Sequence, residues 1–183
     1  EHTSELQSLL IISYAVFWGL IEAWRLLENP RILEGAAGLV DHLLTQVGPG
    51  RTDLIRTGAM FGLPSTSILT PVVMLYEATE ESRYLNFAEY IVEQWARHPA
   101  GPPDILHKGL SNAPVHTWFP EPYRWAKSYE FISCVEGMLH LFRITGRGVY
   151  LDAVAHIYEH LRTWERSLVG SISFNDKFVG SSR

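Results

Sequence analysis

Three segments of this chain are apolar on nearly every side when drawn as helices, and each is followed by a segment apolar on one side only. The first, 5–27, distributes Leu9, Leu10, Ile12, Phe17, Trp18, Leu20, Ile21 and Trp24 around the whole barrel. Its successor, 31–46, confines Ile32, Leu33, Ala36, Leu39, Val40 and Leu43 to one stripe at helical spacing. The contrast recurs in "TSILTPVVMLYEAT" before "RYLNFAEYIVEQW", and in "FISCVEGMLHLFRIT" before "VYLDAVAHIYEHL". A helix buried all round needs neighbours on every side, whereas a striped helix has water behind it. The alternation predicts an all-α fold of tandem helical hairpins, with an inner and an outer row. Helices are expected near 5–27, 31–46, 66–79, 83–97, 126–145 and 149–166, with a short one after Thr52-Asp53.

The hairpins also repeat. "LYEATEESRYLNFAEYIVE" (75–93) aligns with "LFRITGRGVYLDAVAHIYE" (141–159) and more weakly with "AWRLLENPRILEGAAGLVD" (23–41). The offsets, 52 and then 66 residues along Leu33, Leu85 and Leu151, are unequal. That disfavours a regular solenoid and favours an α/α toroid whose loops vary because they build a site. Two stretches fall outside the pattern: the proline-rich loop 98–125, and the tail 170–180, where alternation about Asn175-Asp176 suggests a short β-hairpin.

Length and a 46% hydrophobic content predict a single domain over 1–183. The net charge of −5, with Lys and Arg scattered, offers no field for nucleic acid. The apolar run 9–21 is shorter than the 18 or so residues of a membrane span, and Glu22 follows it, so no membrane partner is expected. The start "EHTSELQS" carries no targeting signal. The single cysteine, Cys134, excludes an internal disulfide and a multi-thiolate metal site within these residues, and reads as a small buried hydrophobe.

"HIYEH" (156–160) matches the H-x-x-E-H pattern of inverted zinc proteases. On a helix whose stripe is Tyr150, Leu151, Val154, Ile157, Tyr158 and Leu161, however, His156 and His160 fall roughly 200° and 240° from Val154, towards solvent. Their repeat equivalents are Tyr90 and Gln94, and beyond Glu165 the only acid is Asp176. No metal site is expected there. In a ring of hairpins the pocket lies at the axis, among inner-helix starts and the loops entering them. That places candidates in "GLPSTS" (62–67), "PEPYRWAKSYE" (120–130) and the turn 175–177, with Ser65, Thr66, Trp118, Lys127, Tyr129 and Asp176 as substrate-binding residues. The aromatics of the long loop, including Trp118, Phe119, Tyr123 and Trp125, suit either stacking on sugar rings or pinning the loop to the core. Glu22, alone in an apolar helix, either lines a cavity or pairs with a neighbouring helix. Glu130 and Glu136 are six residues apart, about 120° around one helix, and cannot share a pocket.

The stretches "GLPSTSILTPVVMLYEATEESRYLNFAEYIVEQW" (62–95), "NAPVHTWFPEP" (112–122) and "KSYEFISCVEGMLHLFRITGRGVYLDA" (127–153) together resemble the α/α-toroid domain of the bacterial β-L-arabinofuranosidase family. The resemblance runs from about Tyr14 to Arg183 and rests on motif order. It implies a glycoside hydrolase acting on plant-type polysaccharide or oligosaccharide, exported by a bacterium to the periplasm or beyond, with these three hairpins as the N-terminal half of an (α/α)6 toroid. The other half, from the same or another chain, would then be a partner alongside the carbohydrate. The family's glutamate acid/base and zinc-held cysteine nucleophile follow the glycine-rich loop that "FVGSSR" resembles, so catalytic residues and any zinc are expected beyond Arg183. Cys134 does not take the nucleophile's role: it lies one inner helix too early, and Ile132 stands where the family has glutamate. Where characterised members place sugar-binding histidines, this chain has Gly19, Ser65 or Thr66, and Lys127 or Ser128. Two alternatives stay open. A non-catalytic helical carbohydrate-binding or scaffold module would carry the aromatic loop as a surface platform, whereas a toroid sugar epimerase or lyase would want histidines at the axis.

Overall fold

A computed structural model describes residues 2–57, 62–97, 104–119, 127–173 and 176–180, with side chains of the first helix described from Ala15 onward. The fold is all-α. Its helices are α1 (His2–Leu27), α2 (Pro30–Gln46), α3 (Leu63–Thr66), α4 (Leu69–Thr79), α5 (Ser82–Arg97), α6 (Ile105–Leu110), α7 (Ser128–Thr145) and α8 (Gly148–His160). Single 3₁₀ turns occupy Leu54–Thr57 and Val115–Trp118, and a wider π turn, Leu161–Glu165, continues α8. The first of these turns follows Asp53, whose side chain accepts the Ile55 N–H at 3.0 Å, as the sequence suggested. No β-strand forms among the described residues. The turn residue Asn175 of the expected hairpin lies outside them, and the described parts of the tail are irregular.

Each hairpin closes in the same way. Glu28, Glu80 and Gly146 sit at equivalent positions of the repeat and all adopt left-handed backbone, with φ of 52°, 57° and 69°. Each N–H returns to the carbonyl four residues back, on Trp24, Tyr76 and Phe142, at 2.7, 2.7 and 2.8 Å. The left-handed residue ends the helix and satisfies one of its free carbonyls. All three carbonyls belong to aromatic residues at one repeat position, so even the weakest sequence alignment, 23–41, is a structural repeat.

α4 lies between α1 and α7, and α2, α5 and α8 each back onto their own partner. The middle helix is therefore buried from Leu69 to Leu75, and Phe17 and Val73 are buried as well. Among the described residues each flanking helix has an inner-row neighbour on one side only, and there the sequence pattern overstates burial: Val16 on α1 is 49% exposed and Leu139 on α7 is 37% exposed. Val40, Ile91 and Ile157 of the backing row are buried against the inner one.

α4 and α7 approach closely because small residues line the seam. Thr70 Oγ1 donates to the Ser133 carbonyl at 2.5 Å, and Ser133 Oγ donates to the Ser67 carbonyl at 2.7 Å. Pro71 explains the second bond. Lacking an N–H, it cannot serve the Ser67 carbonyl four residues back, so that acceptor is free for α7; the helix expected over 66–79 forms as α4 from Leu69, preceded by the separate short helix α3.

In the backing row, Arg83 at the start of α5 reaches Asp41 on α2 (2.9 Å), and Arg147 before α8 reaches Glu89 on α5 (3.1 Å). Each guanidinium also lies over a buried tyrosine, Tyr84 at 4.6 Å and Tyr150 at 5.0 Å from the ring centroid. The two tyrosines are repeat equivalents, so one device serves successive hairpins.

Two expectations need correcting. The "loop" 98–125 contains α6, whose N-cap Asp104 accepts the His107 N–H. α6 packs on α8, where a β-carbon on Gly109 would lie 3.0 Å from that of Ala153. This second neighbour turns α8: Ala153 is buried, whereas Leu151 and Tyr158 of the expected stripe are exposed. His156 consequently faces α6 and not solvent, with its Nδ1 3.0 Å from the Gly109 carbonyl.

Candidate functional site at the start of α7

The start of α7 lacks a side-chain cap from its own N-cap residue, Lys127. The chain tail supplies the acceptors instead. The Ser128 N–H donates to the Asp176 carbonyl at 3.1 Å, and Ser128 Oγ donates to Asp176 Oδ1 at 3.0 Å. Asp176 does this in left-handed backbone, φ 65°, a conformation aspartate tolerates better than most residues. Phe178 then buries its ring edge-on against Phe131 at 5.1 Å, and the same Phe131 meets Trp118 at 5.7 Å and Phe119 at 6.2 Å.

Glu130, in the first turn of α7, is only 4% exposed. Tyr129 Oη donates to its Oε1 at 3.0 Å, while Oε2 has no hydrogen-bond partner among the described residues. Burial pushes its carboxyl above the ordinary glutamate range; the Tyr129 hydroxyl and the Lys127 charge act the other way. Asp176 and Lys177 are near enough to act electrostatically on the same carboxyl. The Lys127 ammonium lies 5.9 Å from the Tyr129 ring centroid, and that ring is about half exposed.

The first two turns of α7 thus gather most of the residues expected at a pocket. Lys127, Tyr129 and Asp176 retain exposed surface. Thr66 reaches the same helix from below, with its Oγ1 3.8 Å from Cys134 Sγ, but it is wholly buried, as is Ser65, whose Oγ faces Thr57 Oγ1 at 3.3 Å. Trp118 is 7% exposed and donates from Nε1 to the Ala113 carbonyl at 3.1 Å. For Trp118 and Phe119 the structure decides between the two readings of the aromatic loop: both are pinned to the core. Tyr123 and Trp125 lie outside the described residues. Glu130 was not among the expected site residues. Its signal was a carboxylate in the first turn of an apolar inner helix, the same argument applied to Glu22.

At the other end of the inner row, Glu22 pairs with Arg25 at 3.1 Å. Arg25 reaches Glu77 of α4 at 3.5 Å, and Glu77 meets His140 of α7 at 3.3 Å. Arg25, Glu77 and His140 tie the three inner helices together, whereas Glu22 is partly exposed and joins them only through Arg25 of its own helix, not by a bond to a neighbouring helix. Glu136 sits beside the tie, its carboxyl pushed up by burial and held back by His140. A cleft of about 420 Å³ between α5, α6 and α8 is lined by Glu89, Glu93, Arg97, Asp104, His107 and Arg147, which pair among themselves.

Among the described residues no group of three or more His, Cys, Asp or Glu side chains is placed to hold a metal ion; the zinc that the resemblance implies is expected beyond Arg183. Cys134 is fully buried, its thiol pushed up to about 12 by that burial. No described helix is long and apolar enough to cross a membrane. Comparison with protein-family models, curated proteins and solved structures found no match.

Proposed function

We propose that this chain forms the N-terminal half of an α/α-toroid glycoside hydrolase of β-L-arabinofuranosidase type, and that the start of α7 lines its sugar pocket. The observation that carries the reading is Glu130: a buried carboxyl with one oxygen committed to Tyr129 and the other without a hydrogen-bond partner among the described residues, flanked by Lys127 and Asp176. A buried acceptor left open costs stability unless something fills it, and a sugar hydroxyl is a neutral donor of the right chemistry. Lys127 adds donors, Asp176 adds acceptors, and the half-exposed Tyr129 ring offers an apolar face for a pyranose or furanose ring. The half-ring geometry is supported by the three equivalent hairpin closures and by apolar surface on both outer inner-row helices, at Val16 and Leu139. On this reading the remaining hairpins cover those flanks, and the cleaving residues lie outside the described ones.

The test is hydrolysis of an aryl β-L-arabinofuranoside by the full-length gene product, with and without chelator. Cleavage that falls in E130Q through a raised KM supports the reading. No hydrolysis of any pentofuranoside overturns it and puts the scaffold module first.

A further inference from the structure

We infer that Glu165 is the positioning residue that clasps the tail at 179–180 and thereby sets where Asp176 and Lys177 stand over the first turn of α7. The inference rests on reading that turn as a sugar pocket.

Glu165 ends the π turn after α8 and is 4% exposed. Its carboxylate takes two backbone donors from the tail, Val179 N–H on Oε2 at 2.8 Å and Gly180 N–H on Oε1 at 3.0 Å. A carboxylate receiving two adjacent N–H groups is a charge-assisted clasp for which no neutral side chain supplies both acceptors. The third wall is His116, whose Nδ1 lies 3.6 Å from Glu165 Oε1, just outside hydrogen-bond reach. Gly180 sits directly on that imidazole: with φ of 66°, a β-carbon there would fall 2.5 Å from the ring. Glycine is required both by the backbone and by the space.

From this anchor the chain runs back through Phe178, buried against Phe131, to Lys177 and Asp176. Two fixed points, the phenylalanine and the carboxylate clasp, directly follow the residue that caps α7. The Ser128 amide reports whether they succeed, because its acceptor is the Asp176 carbonyl. The clasp therefore couples the end of the last hairpin and the 104–119 segment to the pocket lip, without Glu165 touching a ligand.

The test is hydrogen-exchange mass spectrometry on the full-length protein with E165A and the isosteric E165Q, read on peptides covering 127–131 and 176–180. It is paired with calorimetric titration of methyl β-L-arabinofuranoside. Loss of a charge-assisted clasp predicts exchange faster by about tenfold or more in both peptides, with the α7 interior around Met138 unchanged. Glycoside affinity is expected to fall by about tenfold in step, with part of it retained in E165Q. Wild-type protection at 127–131 in a folded E165A would overturn the inference; if E165A does not fold, E165Q decides by the same criterion. A wild-type protein that binds no glycoside sinks the pocket reading, while the exchange result still decides the clasp.

Discussion

The backbone of Gly137 on α7 lies directly against the Leu69 side chain of α4: a β-carbon at 137 would sit 2.5 Å from Leu69 Cγ and 3.0 Å from the Thr70 nitrogen. The seam has no slack, since Thr70 and Ser133 hydrogen-bond across it. G137A is expected to destabilise the fold by about 1–3 kcal/mol through overpacking. Urea denaturation should show a lower midpoint at unchanged slope, and L69A should relieve part of the loss at 137.

The hairpin closures give a cleaner backbone experiment. A side chain at Gly146 would meet nothing within 4 Å, so G146A tests the left-handed φ of 69° alone. It should cost about 1 kcal/mol, and E80G at the equivalent position should gain about 0.5–1 kcal/mol. Thermal denaturation of both variants settles the pair; equal and negligible effects would contradict the shared closure.

Tyr84 and Tyr150 occupy one repeat position and are both buried beneath an arginine. Y84A and Y150A should each cost about 3–5 kcal/mol, as large-to-small changes in a packed core do. R83M and R147M should change stability little, because their ion pairs are solvent-exposed. Denaturation midpoints showing the arginines to matter more than the tyrosines would mean that charge, not packing, joins the backing row.

Glu130 makes stability depend on pH. Burial raises its folded pKa above the ordinary 4.5, so the folded state holds its proton more tightly than the unfolded one. The resulting penalty is absent below 4.5 and grows as pH rises through the folded value. E130Q, neutral throughout, should therefore melt higher than wild type at pH 8, and the gap should close by pH 4. A gap that is constant with pH would show that Glu130 ionises freely.

The Cys134 thiol, fully buried and pushed up to about 12, should not react with a thiol reagent at pH 8 in the folded protein. One equivalent should appear in concentrated denaturant. Rapid native labelling would place Cys134 at an open surface and undo the α4 and α7 packing described above.

The sequence by itself determined the all-helical class, the pairing of each apolar helix with a striped one, and the repeat that equates Glu28 with Glu80 and Gly146. These features are local: helical periodicity and chain reversal are set by residues a few positions apart. It also marked the start of α7, because "KSYE" stands where an inner helix begins. Only the tertiary structure decided what each face met. α6 turned α8 so that His156 faces Gly109, Thr66 and Ser65 were buried against Cys134 and Thr57, and a tail 48 residues downstream capped Ser128 with Asp176. Those outcomes depend on close approach between elements distant in sequence. Periodicity says which side of a helix is apolar, but not which neighbour arrives to cover it.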